Sequence, residues 1–344
     1  MGPGRVAALV LAGCLVLTDV YAADAYPGQF AIRTKKGFYV TAISGGGRST
    51  DPTVITAATT AGPWEKFRIA VLNPPPPNDK SFQTANGNYL TAVNGGGMTS
   101  DVLHTDATQP RAWEQFRVFD LSLDGSDPTW FVVATSGGKY LTAVGEGGKY
   151  ADAFHSDATQ IGSWEKLRIV KCGELGTGYQ YTIVPANDQI LTAVSGGGLD
   201  KGDTIVQGGY FGYLPEWSRF TFVQQIDGSY ALQTSDGAHF VTALGGGGQV
   251  QKYIHCHPGF PGACIDGTST IFHTDATRIG SWERFRFVDV GSCKYTIKTT
   301  SGFFVGIYQD SEGHTLLTTR RSIISDNEKF QLILNGLASP VVIH

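Results

Sequence analysis

The feature that most constrains this chain is a unit of about fifty residues written six times, because a repeat at that period decides the architecture before any single residue is weighed. One anchor is a tetrapeptide that follows a turn. It reads Tyr39-Val40-Thr41-Ala42, Tyr89-Leu90-Thr91-Ala92, Tyr140-Leu141-Thr142-Ala143, Ile190-Leu191-Thr192-Ala193, Phe240-Val241-Thr242-Ala243 and the eroded Phe304-Val305-Gly306-Ile307, at steps of 50, 51, 50, 50 and 64 residues. A second anchor closes each copy: Trp64-Glu65-Lys66-Phe67-Arg68, Trp113-Glu114-Gln115-Phe116-Arg117, Trp164-Glu165-Lys166-Leu167-Arg168, Trp217-Ser218-Arg219-Phe220, Trp282-Glu283-Arg284-Phe285-Arg286 and Asn327-Glu328-Lys329-Phe330. Copy six has lost its Trp.

No window sustains a helical period, whereas short runs rich in Val, Ile, Thr, Tyr and Phe alternate with Gly, Asn, Asp and Ser clusters, which predicts an all-β chain. In copy two the strands fall near Ser81 to Thr84, Tyr89 to Val93, Val102 to His104 and Phe116 to Phe119, four per copy. Two architectures close the edges of such strands: six propeller blades, or two β-trefoils of three repeats each. The copies lack a blade's ending signature, a natural linker runs from Val170 to Thr177 after copy three, and Leu, Val and Phe core sites recur once per repeat. The expected fold is therefore all-β, two tandem β-trefoils with three four-stranded repeats each. The division is a leader over 1–25, a first unit over 26–171, a second over 172–336 and a tail over 337–344, with an insertion near 249–268 accounting for the longer step.

The leader is expected from an apolar run, Val6 to Leu17, too short to span a bilayer and followed by small residues suited to cleavage after Ala22 or Ala25. It implies a secreted, extracellular protein; the alternative, from Leu11-Ala12-Gly13-Cys14, is a lipid anchor through Cys14. Outside the leader four cysteines remain, an even number in a compartment where disulfides persist. Cys256 and Cys264 share one loop and are expected to pair; Cys172 and Cys293 each precede the first strand of a repeat, in copies four and six, and suit a second bridge stapling the C-terminal half. Zinc ligation by Cys256 and Cys264 with His255 and His257 fits less well, since paired short spacings are missing. Charged residues make up 16% of the chain and the net charge is -4, so neither nucleic acid nor membrane insertion is an expected partner.

Alternation along the strand entered at Trp64 sends Phe67 and Ile69 inward and Trp64, Lys66 and Arg68 outward. A large aromatic on the charged side, repeated at equivalent positions, is what a sugar-stacking platform needs: pyranose C–H groups pack on the indole while a carboxylate accepts from hydroxyls. The expected carbohydrate-binding residues are Trp64 with Glu65, Trp113 with Glu114, Trp164 with Glu165, Trp282 with Glu283, and an altered site at Trp217. The competing reading makes each Trp a cover for the barrel and each Glu a cap for turn N–H groups. His104-Thr105-Asp106-Ala107-Thr108, His155-Ser156-Asp157-Ala158-Thr159 and His273-Thr274-Asp275-Ala276-Thr277 read as Asx-type turns rather than metal or acid–base pairs, because no third ligand or nucleophile recurs with them. A glycosidase needs one asymmetric carboxylate pair, not a symmetric set, and the Gly runs precede no helix, so no enzyme, cofactor or metal is expected.

Gly-Asn-Tyr-Leu-Thr-Ala-Val-Asn-Gly-Gly-Gly over 87–97, then His104 to Thr108 and Trp113 to Arg117, resembles the fascin-like β-trefoil repeat of secreted microbial proteins, including those attached to glycoside hydrolases. Within that superfamily the pattern is closest to β-trefoil carbohydrate-binding modules. The resemblance implies shallow glycan sites built on a Trp and an acidic neighbour, with an extracellular polysaccharide or glycoconjugate, β-glucan first, as partner. A separate glycoside hydrolase is a further partner it implies. Fascins themselves carry four trefoils, have no leader and bundle actin, so filament cross-linking is the alternative function.

Overall fold

The computed structural model describes residues 23–24, 26–71, 79–121, 129–201, 204–207, 214–248, 271–309, 315–335 and 339–340. Among them there are strands and short 3-10 turns, and no α-helix. After β1 (Ala23–Asp24), copy one holds β2 (Gln29–Thr34), β3 (Tyr39–Ala42), β4 (Val54–Ala58) and β5 (Lys66–Val71). Copy two holds β6 (Asp79–Gln83), β7 (Tyr89–Ala92), β8 (Leu103–Ala107) and β9 (Phe116–Asp120); copy three holds β10 (Phe131–Thr135), β11 (Tyr140–Ala143), β12 (Phe154–Ala158) and β13 (Leu167–Cys172). Copies four and five hold β14 (Gln180–Val184), β15 (Leu191–Ala193), β16 (Ile205–Gln207), β17 (Phe220–Gln224), β18 (Tyr230–Gln233), β19 (Phe240–Ala243), β20 (Phe272–Ala276) and β21 (Phe285–Asp289). Copy six holds β22 (Tyr295–Thr299), β23 (Phe304–Gln309), β24 (Thr315–Arg321) and β25 (Gln331–Leu334), and β26 (Ser339–Pro340) pairs in parallel with β9.

Pairing closes two rings. In the first half β2 pairs β5, β5 pairs β6, β6 pairs β9, β9 pairs β10, β10 pairs β13, and β13 returns to β2. In the second half the circuit runs β14, β17, β18, β21, β22, then through the Tyr295 and Phe330 bridge to β25 and back to β14. A closed ring has no edge strand, which removes the row of unpaired N–H and C=O groups that invites aggregation. The second and third strands of each copy form a hairpin outside the ring. Inward residues of the ring strands fill the barrels: Phe30, Phe67, Phe82, Phe116, Phe131 and Leu167 in the first, Tyr181, Phe220, Phe222, Phe285, Tyr295 and Phe330 in the second, all buried.

The Gly turns tie each copy to the next. Gly47 N donates to Thr105 O at 2.7 Å, Gly97 N to Ser156 O at 2.7 Å, and Gly148 N to Thr56 O at 2.8 Å, a circuit through copies one, two, three and back to one. Gly198 to Thr274 and Gly248 to Thr319 repeat it in the second half. Gly96 shows why the middle glycine is required. Its φ is 102°, and a Cβ there would lie 2.2 Å from Thr135 Oγ1.

The halves are joined by more than the chain. Val170 on β13 pairs with Ile333 on β25, and Cys172 is bridged to Cys293; the pair is the expected one, but Cys172 ends β13 of the first ring, so the bridge joins the halves rather than stapling the C-terminal one. Arg33 and Arg168 stand opposite each other across β2 and β13, and both guanidiniums reach Asp188 Oδ1, at 3.0 and 2.6 Å. Burial alone would raise the Asp188 pKa, but the two arginines outweigh it and hold it below the usual carboxylate range. Gln331 accepts from Arg33 Nη1 at 3.1 Å and donates to Tyr39 OH at 2.6 Å.

Some expected boundaries move. Val170 to Cys172 are not linker: they finish β13, with Cys172 opposite Gln29, because these buried side chains complete the first ring. Ala23–Asp24, inside the span expected as leader, pairs with β5. The insertion near 249–268, with Cys256, Cys264, His255 and His257, and the leader up to residue 22 lie outside the described residues.

Candidate functional site

Each Trp-Glu pair sits in a tight turn that enters the last strand of its copy. In copies one and two this is one turn of 3-10 helix, Pro63–Glu65 and Ala112–Glu114. In such a turn adjacent side chains diverge, and the pair splits. Trp64, Trp113, Trp164 and Trp282 are 49, 46, 43 and 47% exposed, while Glu65, Glu114, Glu165 and Glu283 are buried.

The glutamates are structural caps. One carboxylate oxygen of Glu114 accepts from Arg111 N at 2.7 Å and the other from Thr91 Oγ1 at 2.8 Å. The same pair of bonds recurs at Glu65 with Gly62 and Thr41, at Glu165 with Gly162 and Thr142, and at Glu283 with Gly280 and Thr242. The expectation that these four carboxylates present acceptors to a sugar beside the indole is corrected by this burial: their oxygens are spent on the turn and on the hairpin threonine. The threonines are the residues that sequence reasoning passed over. Their signal was available, since Thr of the first anchor and Glu of the second occur together in copies one, two, three and five. Copy four keeps Thr192 but has Ser218 in place of Glu, and the two hydroxyls meet at 2.7 Å. Copy six has Gly306 in place of Thr, and there Glu328 caps Ser325 N and lies 3.6 Å from Arg321 Nε.

In copies two, four and five the indole rests on the Gly turn. A Cβ at Gly95 would sit 3.5 Å from Trp113 Cδ1 and 3.1 Å from Ser136 Oγ; at Gly246 it would meet Trp282 Cδ1 at 3.4 Å and Ser301 Oγ at 2.6 Å. Only a residue without a Cβ lets the ring edge and the neighbouring hydroxyl share that space. Three indoles thus lie beside a hydroxyl from the hairpin tip of the next copy: Ser136 by Trp113, Ser301 by Trp282, Ser235 by the half-buried Trp217. Asn86 donates to Ser44 O at 2.9 Å at the copy-one turn, and Lys36 to Gly145 O at 2.9 Å at the copy-three turn. The resulting surface is shallow, half aromatic and edged with hydrogen-bonding groups.

The His-Thr-Asp-Ala runs are strands, β8, β12 and β20, not the turns expected of them. Non-local bonds decide this: buried Thr105 Oγ1 accepts from Arg48 N at 3.2 Å, and Ser156 and Thr274 do the same for Met98 and Leu199. His104 and His155 pair at 2.7 and 2.8 Å with Asp101 and Asp152, residues upstream of the motif. Among the described residues no three His, Cys, Asp or Glu side chains are grouped to hold a metal, and no helix is long and apolar enough to cross a membrane.

No family model matches the chain, and no curated protein matches it. Among solved structures it is similar to a mosquitocidal holotoxin, at 10% identity and a TM-score of 0.33 over 89% of this chain and 34% of the toxin, so the chain spans about a third of that protein. It is also similar to the designed threefold-symmetric protein ThreeFoil, at 16% identity and TM-score 0.34, over 45% of this chain and 97% of the design. The BEL β-trefoil is similar at 8% identity and TM-score 0.33, over 47% of this chain and 97% of that one. Likenesses at these scores add no weight, and the description of the fold rests on the strand pairing.

Proposed function

We propose that this chain is an exported, non-catalytic carbohydrate-binding protein of two tandem β-trefoils, in which Trp64, Trp113, Trp164 and Trp282 are equivalent sugar platforms and Trp217 is an altered fifth. The observation that carries the reading is the shared exposure of the four indoles, each close to half exposed at the equivalent turn, with Trp113 and Trp282 seated on a Gly turn beside a serine of the next hairpin tip. An aromatic of that size left in water at four symmetric places has no packing explanation, and a pyranose face matches it. The ring closure of each half, with three outer hairpins, supports the two-trefoil description. The Cys172–Cys293 bridge is consistent with an oxidising compartment. Single platforms of this kind bind weakly, and several on one rigid body multiply the residence on a polymer. Extracellular polysaccharide, with β-glucan first, is the partner class; service to a separate glycoside hydrolase follows from the same surface. Filament cross-linking, the alternative, requires the indoles in the core, and their exposure favours the glycan reading. The test is a titration with soluble β-glucan oligosaccharides followed by the indole N–H resonances: shifts confined to the exposed indoles support it, and an unchanged spectrum across β-glucan, cellulose and chitin fragments refutes it.

A further inference from the structure

Copy five carries a cleft of about 400 Å3 that includes Arg284, Arg286 and Lys298, with Thr300 as a hydroxyl and Asp227 as its carboxylate. It borders the Trp282 platform: Arg284 follows that indole by two residues, and Ser301, between the lining residues Thr300 and Gly302, shares the Gly246 turn with the ring edge. Strand register places Arg286 directly opposite Lys298 on β21 and β22, so two cations face each other on one side of the sheet. Like charges in that position repel. The corresponding pairs elsewhere differ: Arg68 faces Gln83, and Arg117 faces Ala134 and pairs with Asp79 at 3.4 Å.

Copy three shows how this molecule resolves the same conflict. Arg168 and Arg33 are opposed in the equivalent register, and a carboxylate oxygen of Asp188, supplied from the other half, bridges the two guanidiniums. In copy five the carboxylate lining the cleft, Asp227, gives one oxygen to its own turn through Ser229 N and Oγ, and the other lies 3.7 Å from Arg284. Bonds to Ser229 and then the Arg284 and Arg286 charges keep the Asp227 carboxyl below its ordinary pKa. Among the described residues no carboxylate bridges Arg286 and Lys298, and Lys298 Nζ lies over the Phe304 ring at 5.5 Å.

We infer that the copy-five site takes an anionic sugar, with Arg286 and Lys298 bridging a carboxylate or sulfate oxygen of the ligand as Arg33 and Arg168 bridge Asp188, while the sugar ring lies on Trp282. The platforms of copies one to three, which carry no unbridged pair of opposed cations, then hold the polymer, and copy five selects acidic residues along it. The inference rests on the platform reading of Trp282 and adds a charge requirement to it.

The experiment measures binding of the full chain, disulfide intact and at low ionic strength, to polygalacturonate against its methyl ester and to dextran sulfate against dextran, with neutral β-glucan and F-actin alongside. The expected result is at least a tenfold preference for one anionic polymer over its neutral counterpart, which also says whether carboxylate or sulfate is read. That preference vanishes in Arg286→Gln/Lys298→Gln, whose neutral β-glucan binding stays within twofold of wild type and whose Tm is unchanged or raised. Equal binding of charged and neutral polymers, a preference that survives the double substitution, or F-actin binding lost in that variant without any polysaccharide preference would each overturn it. Failure of β-glucan binding with the anionic preference intact and abolished by Trp282→Ala would instead refute the wider platform reading and leave this site standing.

Discussion

At the scale of single residues, neighbours in sequence carry separate roles. Trp113 points to solvent and Glu114 into the protein, so their substitutions separate binding from stability. Glu114→Ala leaves Thr91 Oγ1 and Arg111 N without their acceptor in a buried place and is expected to cost about 2–3 kcal/mol in urea denaturation. Trp113→Ala is expected to change stability by less than about 1 kcal/mol and to weaken glycan binding. The repeat made the Trp legible as a surface residue. The Glu was misread because nearness to the Trp in sequence does not mean nearness to the sugar; the alternation that sends Trp64 outward puts Glu65 on the side of Phe67 and Ile69, where it is buried.

At the scale of elements, the Gly turns and outer hairpins hold each ring's symmetry. Gly96→Ala places a Cβ against Thr135 in a backbone conformation that suits only glycine, and is expected to destabilise by about 3 kcal/mol. Gly97, with φ 87° and nothing within 4 Å of its Cβ position, is expected to cost only the backbone strain, about 1 kcal/mol. Thermal unfolding of the two variants checks the ordering. Strand positions in copy two were readable to within two residues at every strand but the third, because β-branched and aromatic runs end at Gly and Asn clusters. The third strand was readable only in part: the local preference of Asp106-Ala107 for a turn loses to bonds that Thr105 makes with Arg48, 57 residues away.

At the scale of the whole molecule, the halves are locked by a carboxylate shared between two arginines and by a disulfide. None of Arg33, Arg168 and Asp188 stands out in sequence, since 155 residues separate Arg33 from Asp188 and only the fold brings them together. Asp188→Ala removes the carboxylate that bridges Arg33 and Arg168 and, with Asp188 half exposed, is expected to cost about 1–2 kcal/mol. Lys171 Nζ donates to Pro27 O at 2.6 Å and Cys172 O at 2.9 Å, and burial pushes its pKa down to about 8. Between pH 8 and the ordinary lysine value of 10.5 the unfolded chain holds a proton that the folded chain has released, so stability rises with pH in that window. The full gain is about 3 kcal/mol. Burial pushes the Tyr181 and Tyr295 phenols up, so above pH 10 the unfolded chain loses protons first and stability falls again. Denaturation from pH 7 to 11 is therefore expected to show a maximum near pH 10, with the rising limb reduced in Lys171→Met to the smaller part that buried Lys80, its pKa also lowered by burial, contributes.

The central claim is that the four exposed indoles are sugar platforms on a rigid scaffold. The most direct measurement is co-sedimentation of the full chain with insoluble β-glucan, cellulose, chitin and F-actin, wild type against Trp64→Ala/Trp113→Ala/Trp164→Ala/Trp282→Ala, with β-sheet circular dichroism recorded for both. Binding of wild type to at least one polysaccharide, lost in a variant that keeps its β-sheet signal, is the expected result. A variant that unfolds, or a wild type that sediments only with actin, would contradict it.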